Sequence, residues 1–487
     1  MAPQREEEIA HLFRRAGFGT SDAELAQFAR LGIVSYPTAA AYLLDYGKQP
    51  DDVDQYIGQP GYVLTTSPAA FSPTTSVTDA RQRWLFRMVH TRRPLQEKMA
   101  LFWHNHFATA QSKIAGDTST EDATRMLAAK PSEDAGGVTG QIELFRQNAL
   151  GNFRDLLVAV AQDPAMLFWL DGRSNVRAHP QENFARELME LFTMGVDTFA
   201  ETDVYAGARV FSGWNLAHPG SGAAQHYAFS YVAGNHDTSA KSFTFPIYAD
   251  GSAVIPARAA GAGMQDGLDL LNAVAAHPKT GPRLARKLYA YFVNEVDEPD
   301  QALIDQMASL YYARNFEIEP MVRYLLLSPQ FRDPATYYKR YSWPVEFVVR
   351  ALKEVGWSGF SVNDALTPLA AMGQQLLEPP DVSGWRLGQG WFSTGATLAR
   401  MNFAAQLATN QKFALREGYR PFAASADAVL SEAMDRLLPA DFDADSQSTL
   451  LGYLQAGGAW TGSDAQLLTK VPGLVHLIVG SGEYQLV

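Results

Sequence analysis

Residues 21–32 read SDAELAQFARLG, with Ser21 three residues ahead of Glu24 and Gly32 at the far end. That spacing is a capping box, in which serine and glutamate satisfy the free N–H groups of a helix start, and glycine supplies the usual stop. Residues 35–47, SYPTAAAYLLDYG, follow the same logic and end on Gly47. Working outward, helical periodicity recurs at about 78–92, 94–110, 151–163, 180–195, 201–213, 264–276, 280–294, 299–313, 317–328, 343–355, 396–414 and 462–478. The pattern predicts a mainly α protein.

One stretch breaks it. Residues 222–249 hold two alternating aromatic runs separated by Gly234-Asn235-His236-Asp237, and read as a β-hairpin carried on the helical body. Loops are expected at 60–77, 113–140 and 376–395. None has the composition of a flexible linker and no repeat of fixed period occurs, so residues 1–487 are expected to form a single multi-helix domain, with 113–140 and 222–249 as insertions within it.

Composition narrows the function. The 487 residues are 47% hydrophobic, enough for a large core, and carry a net charge of −12 with no basic run longer than Arg14-Arg15 or Arg92-Arg93. Such a balance gives no footprint for nucleic acid. With no cysteine, disulfides and thiolate chemistry are excluded, and any metal must be held by His, Asp or Glu. The N-terminal stretch lacks the apolar core of a secretory signal and no window suits a membrane span, so a cytoplasmic setting is expected.

Four clusters could carry chemistry. In LFWHNHF, residues 101–107, a helix starting near Pro94 puts His106 on the face of Leu95, Met99 and Phe102, while His104 shares another face with Glu97. Two histidines at this spacing do not chelate one ion from the middle of a helix. Either they are core residues, or the helix ends there, or only one of them is a ligand, and His106 is expected to be the more buried. In HPQENFARELMELF, residues 179–192, Glu187 and Glu190 lie along one flank and repel each other unless a cation, a proton or a metal intervenes. At the expected hairpin tip, His236, Asp237 and Lys241 could supply a ligand, a base and an anion-stabilising ammonium, or simply good turn chemistry. In LLEPPDVSGWRLGQGW, residues 376–391, Trp385, Trp391 and Asp381 form either a wall of the core or a ring-stacking surface.

These segments, in this order, resemble one bacterial family, catalogued as domain of unknown function 1800. The resemblance rests on HLFRRAGFG at 11, LQEKMALFWHNHFAT at 95, NALGNFRDLLVAVAQDPAMLFWLDG at 148, ENFARELMELFTMGV at 182 and NHDTSAKSF at 235. It continues through ARKLYAYFV at 285, PVEFVVRAL at 344, and EPPDVSGW with STGATLARMNFA near the end. It implies a single helical unit without a settled activity, an exported setting in many relatives, and a protein partner from a neighbouring uncharacterised family. It also marks Arg14, Arg15, His104, His106, Glu187, Glu190, His236, Asp237, Lys241, Asp381 and Trp385 as characteristic.

The expected function is an enzyme, hydrolytic or lyase-like, acting on a small molecule or saccharide. Glu187, Glu190, His236, Asp237 and Lys241 would be its catalytic groups, and Trp385, Trp391, Asp381, Arg14 and Arg15 its substrate contacts. The site is expected either to work as an acid–base set or to be built around a divalent metal, which would be held by His104, His106, Glu187 and His236. The alternative is a non-catalytic scaffold that binds a glycan or a protein, with the polar clusters serving as structural networks. The two differ in whether the clusters converge.

Overall fold

The computed structural model describes residues 3–437 and 442–487, and helices carry most of them. The chain is mainly α, as expected. The Ser21 side chain accepts from the Glu24 amide while Glu24 accepts from the Ser21 amide at 2.8 Å, so the first box forms as read. Ser35 and Thr38 repeat the arrangement. The expected helices appear as Val77–His90, Pro94–His106, Met264–Ala276, Thr280–Phe292, Pro344–Val355 and others within a few residues of their periodic stretches.

Two expectations need correction. Residues 113–140 are not one loop: the helix Gln111–Asp117 runs into them, and Thr120–Ala128 follows, started by Ser119, whose hydroxyl accepts from the Asp122 amide at 3.0 Å. The polar composition hid this cap. The β region is also arranged differently. Trp214–Ala217 pairs antiparallel with Ala228–Tyr231, and Lys241–Ser242 with Val254–Ile255, giving two small sheets instead of one hairpin. Residues 234–237 connect the sheets, because His236 is pulled inward by polar partners described below.

Buried apolar residues form one connected core running from Ile9 to Tyr484. Pro94–His106 lies at its centre, with every residue except Asn105 buried, and packs against the helices Pro3–Ala16, Val77–His90 and Gln141–Gln147. Beside this helix, Lys98 and Arg340 both bind Glu346, all three shielded from solvent. Burial works against the Glu346 charge, yet Arg340 and Lys98 hold its carboxyl down to about 2. No helix among the described residues is long and apolar enough to cross a membrane.

Candidate functional site

The two histidines of LFWHNHF point apart, and His104 is fully buried while His106 is 4% exposed, the reverse of the expected order. His104 packs edge-on between Trp84 and Trp385, at 5.5 and 5.4 Å, and neither ring nitrogen has a hydrogen-bond partner among the described residues. Burial pushes its pKa down to about 3. His106 Nε2 lies 3.0 Å from the Phe192 carbonyl and its Nδ1 2.8 Å from Lys287 Nζ. Lysine donates to Nδ1, which leaves the proton on Nε2 to donate to Phe192. Burial and the Lys287 charge keep this imidazole neutral. The Lys287 ammonium is itself pushed down to about 7 by burial and by Arg283.

Phe192 ends a helix that changes pitch. Asn183–Glu187 is α-helical and Leu188–Phe192 is π-helical, a form concentrated at functional sites. Its end leaves carbonyls unpaired, and these are met by Thr193 Oγ1 on Leu188, Lys287 on Leu191 and His106 on Phe192. Glu187 and Glu190 stand half-buried on this element with no hydrogen bond or ion pair among the described residues. Burial first, and Glu190 second, push the Glu187 carboxyl up. No bond joins either glutamate to His104, His106 or His236.

Of the residues expected at the hairpin tip, His236 and Lys241 join a buried hub instead. His236 Nδ1 lies 2.9 Å from the Ser212 carbonyl and its Nε2 3.2 Å from Asp266 Oδ2. Lys241 reaches Asp266 Oδ2 at 2.5 Å, and Arg258 reaches Oδ1 at 2.5 Å. Burial opposes the Asp266 charge, but hydrogen bonds from His236, Lys241 and Arg258 outweigh it and hold the carboxyl below its usual range. Asp237 pairs with Arg209 at 2.8 Å and accepts from Ser239. Asp266 lay in no recognisable motif and was missed in the sequence, although it is the hub's centre. Every group here is satisfied locally.

The remaining expected contacts are structural. Trp385 and Trp391 are each 3% exposed, so neither offers a stacking face. Asp381 is exposed but accepts from Ser383 N and Oγ, an ordinary Asx turn. Gly384, at φ +85°, lets Trp385 N donate to Asn105 Oδ1 at 2.7 Å, which docks this loop on the end of the histidine helix. Arg14 lies over the Tyr338 ring and Arg15 donates to the Thr336 carbonyl; both are buried. Among the described residues, no three His, Asp or Glu side chains converge to hold a metal ion, and the four expected ligands have separate partners.

The geometry gathers polar and aromatic groups elsewhere, in a cleft of about 350 Å³ between the N-terminal helices, the end of Val77–His90 and Trp357. Tyr56 stacks on Tyr62 at 4.8 Å, and Trp357, donating to the Gly61 carbonyl, stands edge-on to His90 at 4.8 Å. His90 Nε2 accepts from the Val63 amide at 3.0 Å, which places its proton on Nδ1. Burial first, then Lys353, push its pKa down to about 3. Lys353 pairs with Glu24 at 2.7 Å and Arg92 with Asp52 at 3.5 Å. None of these residues was singled out in the sequence as a binding group: Glu24 was read only as half of a capping box and Arg92 only as half of a basic dipeptide. Their signal is spread over four segments between residues 24 and 357.

Comparison with known proteins adds one result. A family model described as Protein of unknown function (DUF1800) matches residues 11–486, and the chain belongs to that family. No curated protein and no solved structure matches it.

Proposed function

We propose that the protein is a binding module whose aromatic cleft takes a neutral saccharide. The observation that carries this reading is the pairing of ring faces with ion pairs in one cavity. Tyr56, Tyr62 and Trp357 provide apolar faces for a sugar ring. Lys353–Glu24 and Arg92–Asp52 supply both donors and acceptors for vicinal hydroxyls. Because each cation already has its carboxylate, the cleft has no surplus charge for an anion and suits an uncharged polyhydroxy ligand. The separate satisfaction of the Asp266 hub, His106 and Asp237 supports binding over catalysis.

The test is calorimetric titration with cellotriose, maltotriose and mannotriose. At least one should bind saturably, and Trp357→Ala should weaken it roughly threefold to tenfold, the effect of losing about 0.5–1.5 kcal/mol of ring contact. If none binds, or Trp357→Ala changes nothing, the reading fails.

A second, hydrolytic reading is favoured by one observation, the raised Glu187, without a hydrogen bond or ion pair among the described residues, at the last α-helical position before a π-helical turn. A carboxyl whose pKa is raised is what a general acid needs. Prolonged incubation with the trisaccharide that binds, followed by product chromatography, separates the readings. Cleavage abolished in Glu187→Gln supports hydrolysis; intact sugar after incubation rules it out for that substrate.

A further inference from the structure

We propose that a second cavity binds a small organic carboxylate, held by Arg400. It lies where the helices Thr394–Asn410 and Asp464–Val479 pack together and meet residues 480–486. The cavity measures about 310 Å³, and Tyr341, Phe392, Thr397, Arg400 and Gln485 are among the residues that line it. It is separate from the aromatic cleft, and the inference does not depend on what that cleft binds.

Arg400 is 1% exposed, yet it has no carboxylate within ion-pair distance among the described residues. Nη1 donates to Gln485 Oε1 and Nη2 to the Ser342 carbonyl, both at 2.9 Å, while Nε has no hydrogen-bond partner among the described residues. Both acceptors are neutral. Phe392 lies 4.6 Å from the guanidinium carbon and Phe347 5.1 Å, contacts that attract a cation without neutralising it. Glu346, the carboxylate whose field reaches Arg400, is already bound by Lys98 and Arg340.

Other buried arginines differ in a telling way. Arg87 pairs with Asp54 and Glu143, Arg146 with Glu97, and Arg350 with Glu354. Arg14 and Arg15 have no ion pair among the described residues, but they line neither cavity. Arg400 alone among these combines a desolvated, uncompensated charge with space beside it. A guanidinium in that state is held at a cost that a carboxylate ligand relieves, through a charge-assisted and bidentate hydrogen bond.

The walls specify the rest of the ligand. Tyr341 and Phe392 face the cavity with ring centroids 5.2 Å apart, and Met401, 43% exposed, lies beside Gly480 at its edge. Such walls favour an apolar body attached to the carboxylate over a bare inorganic anion.

The experiment titrates the full chain with phenylacetate, with its neutral isostere phenylacetamide, and with inorganic phosphate. Phenylacetate should bind saturably and at least tenfold more tightly than either of the others. Arg400→Gln should abolish the preference for acid over amide. Thr397→Trp, at the exposed rim, should block binding while leaving the unfolding temperature unchanged, and it decides the matter if Arg400→Gln does not fold. No saturation with phenylacetate, equal binding of the amide, tighter binding of phosphate, or normal binding to Thr397→Trp would each overturn the proposal.

Discussion

His11, His106 and His236 each set a ring nitrogen 3.1, 3.0 and 2.9 Å from a carbonyl at or just beyond a helix end, those of Phe331, Phe192 and Ser212. Their imidazoles serve as caps for helices distant in sequence. His104 does the opposite, buried without a partner. Replacing the two neighbours with phenylalanine should therefore diverge. His106→Phe strands the Phe192 carbonyl and leaves the Lys287 ammonium with only the Leu191 carbonyl, and should cost about 2–4 kcal/mol, whereas His104→Phe removes two unpaired polar atoms and should be neutral or stabilising in thermal unfolding. Acid makes a further distinction. Both imidazoles are depressed by burial, so their contribution is complete above the unfolded value near 6.5 and is lost as pH falls towards the folded value, about 3 for His104. At pH 5 His104 should cost roughly 2 kcal/mol, and His104→Phe should make urea unfolding less sensitive between pH 7 and 5. The apolar company of these histidines was legible in HNH and its flanking aromatics. Their partners were not, because a backbone carbonyl leaves no mark in a sequence.

Among the elements, the loop 376–391 shows how a glycine joins two distant segments. A Cβ on Gly384 would sit 2.4 Å from both the carbonyl and the side-chain oxygen of Asn105, at a φ of +85°. Gly384→Ala should cost about 2–4 kcal/mol from strain and overlap combined, measured by chemical denaturation, while Gly388→Ala, at φ +66° but with nothing near it, should cost less. Helix existence was largely readable, since caps such as Ser21–Glu24 are local. The short helix Thr120–Ala128 was masked by its polar surroundings. The sheets were misread because pairing of Ala228–Tyr231 with Trp214–Ala217 depends on partners outside the alternating stretch. The π turn at Leu188–Phe192 was also invisible, since residues 183–192 carry an ordinary helical period.

At the scale of the molecule, the pairing of Lys98 and Arg340 with Glu346 ties the centre together. Glu346 also accepts from the Trp343 amide at 2.9 Å, closing the start of Pro344–Val355. Glu346→Gln can keep that cap but leaves two buried cations without their carboxylate, and should cost about 3–5 kcal/mol in equilibrium unfolding. Its carboxyl, held near 2, stays charged through the range in which the imidazoles titrate, so mild acid should weaken the protein through histidine first. None of this was legible beforehand, because Lys98 and Glu346 stand 248 residues apart in chains of ordinary helical pattern. That separation also bears on synthesis. A ribosome delivers Lys98 long before Glu346 exists, so the nascent helix around it cannot bury its ammonium against a counter-ion, and the central packing must wait until most of the chain has emerged.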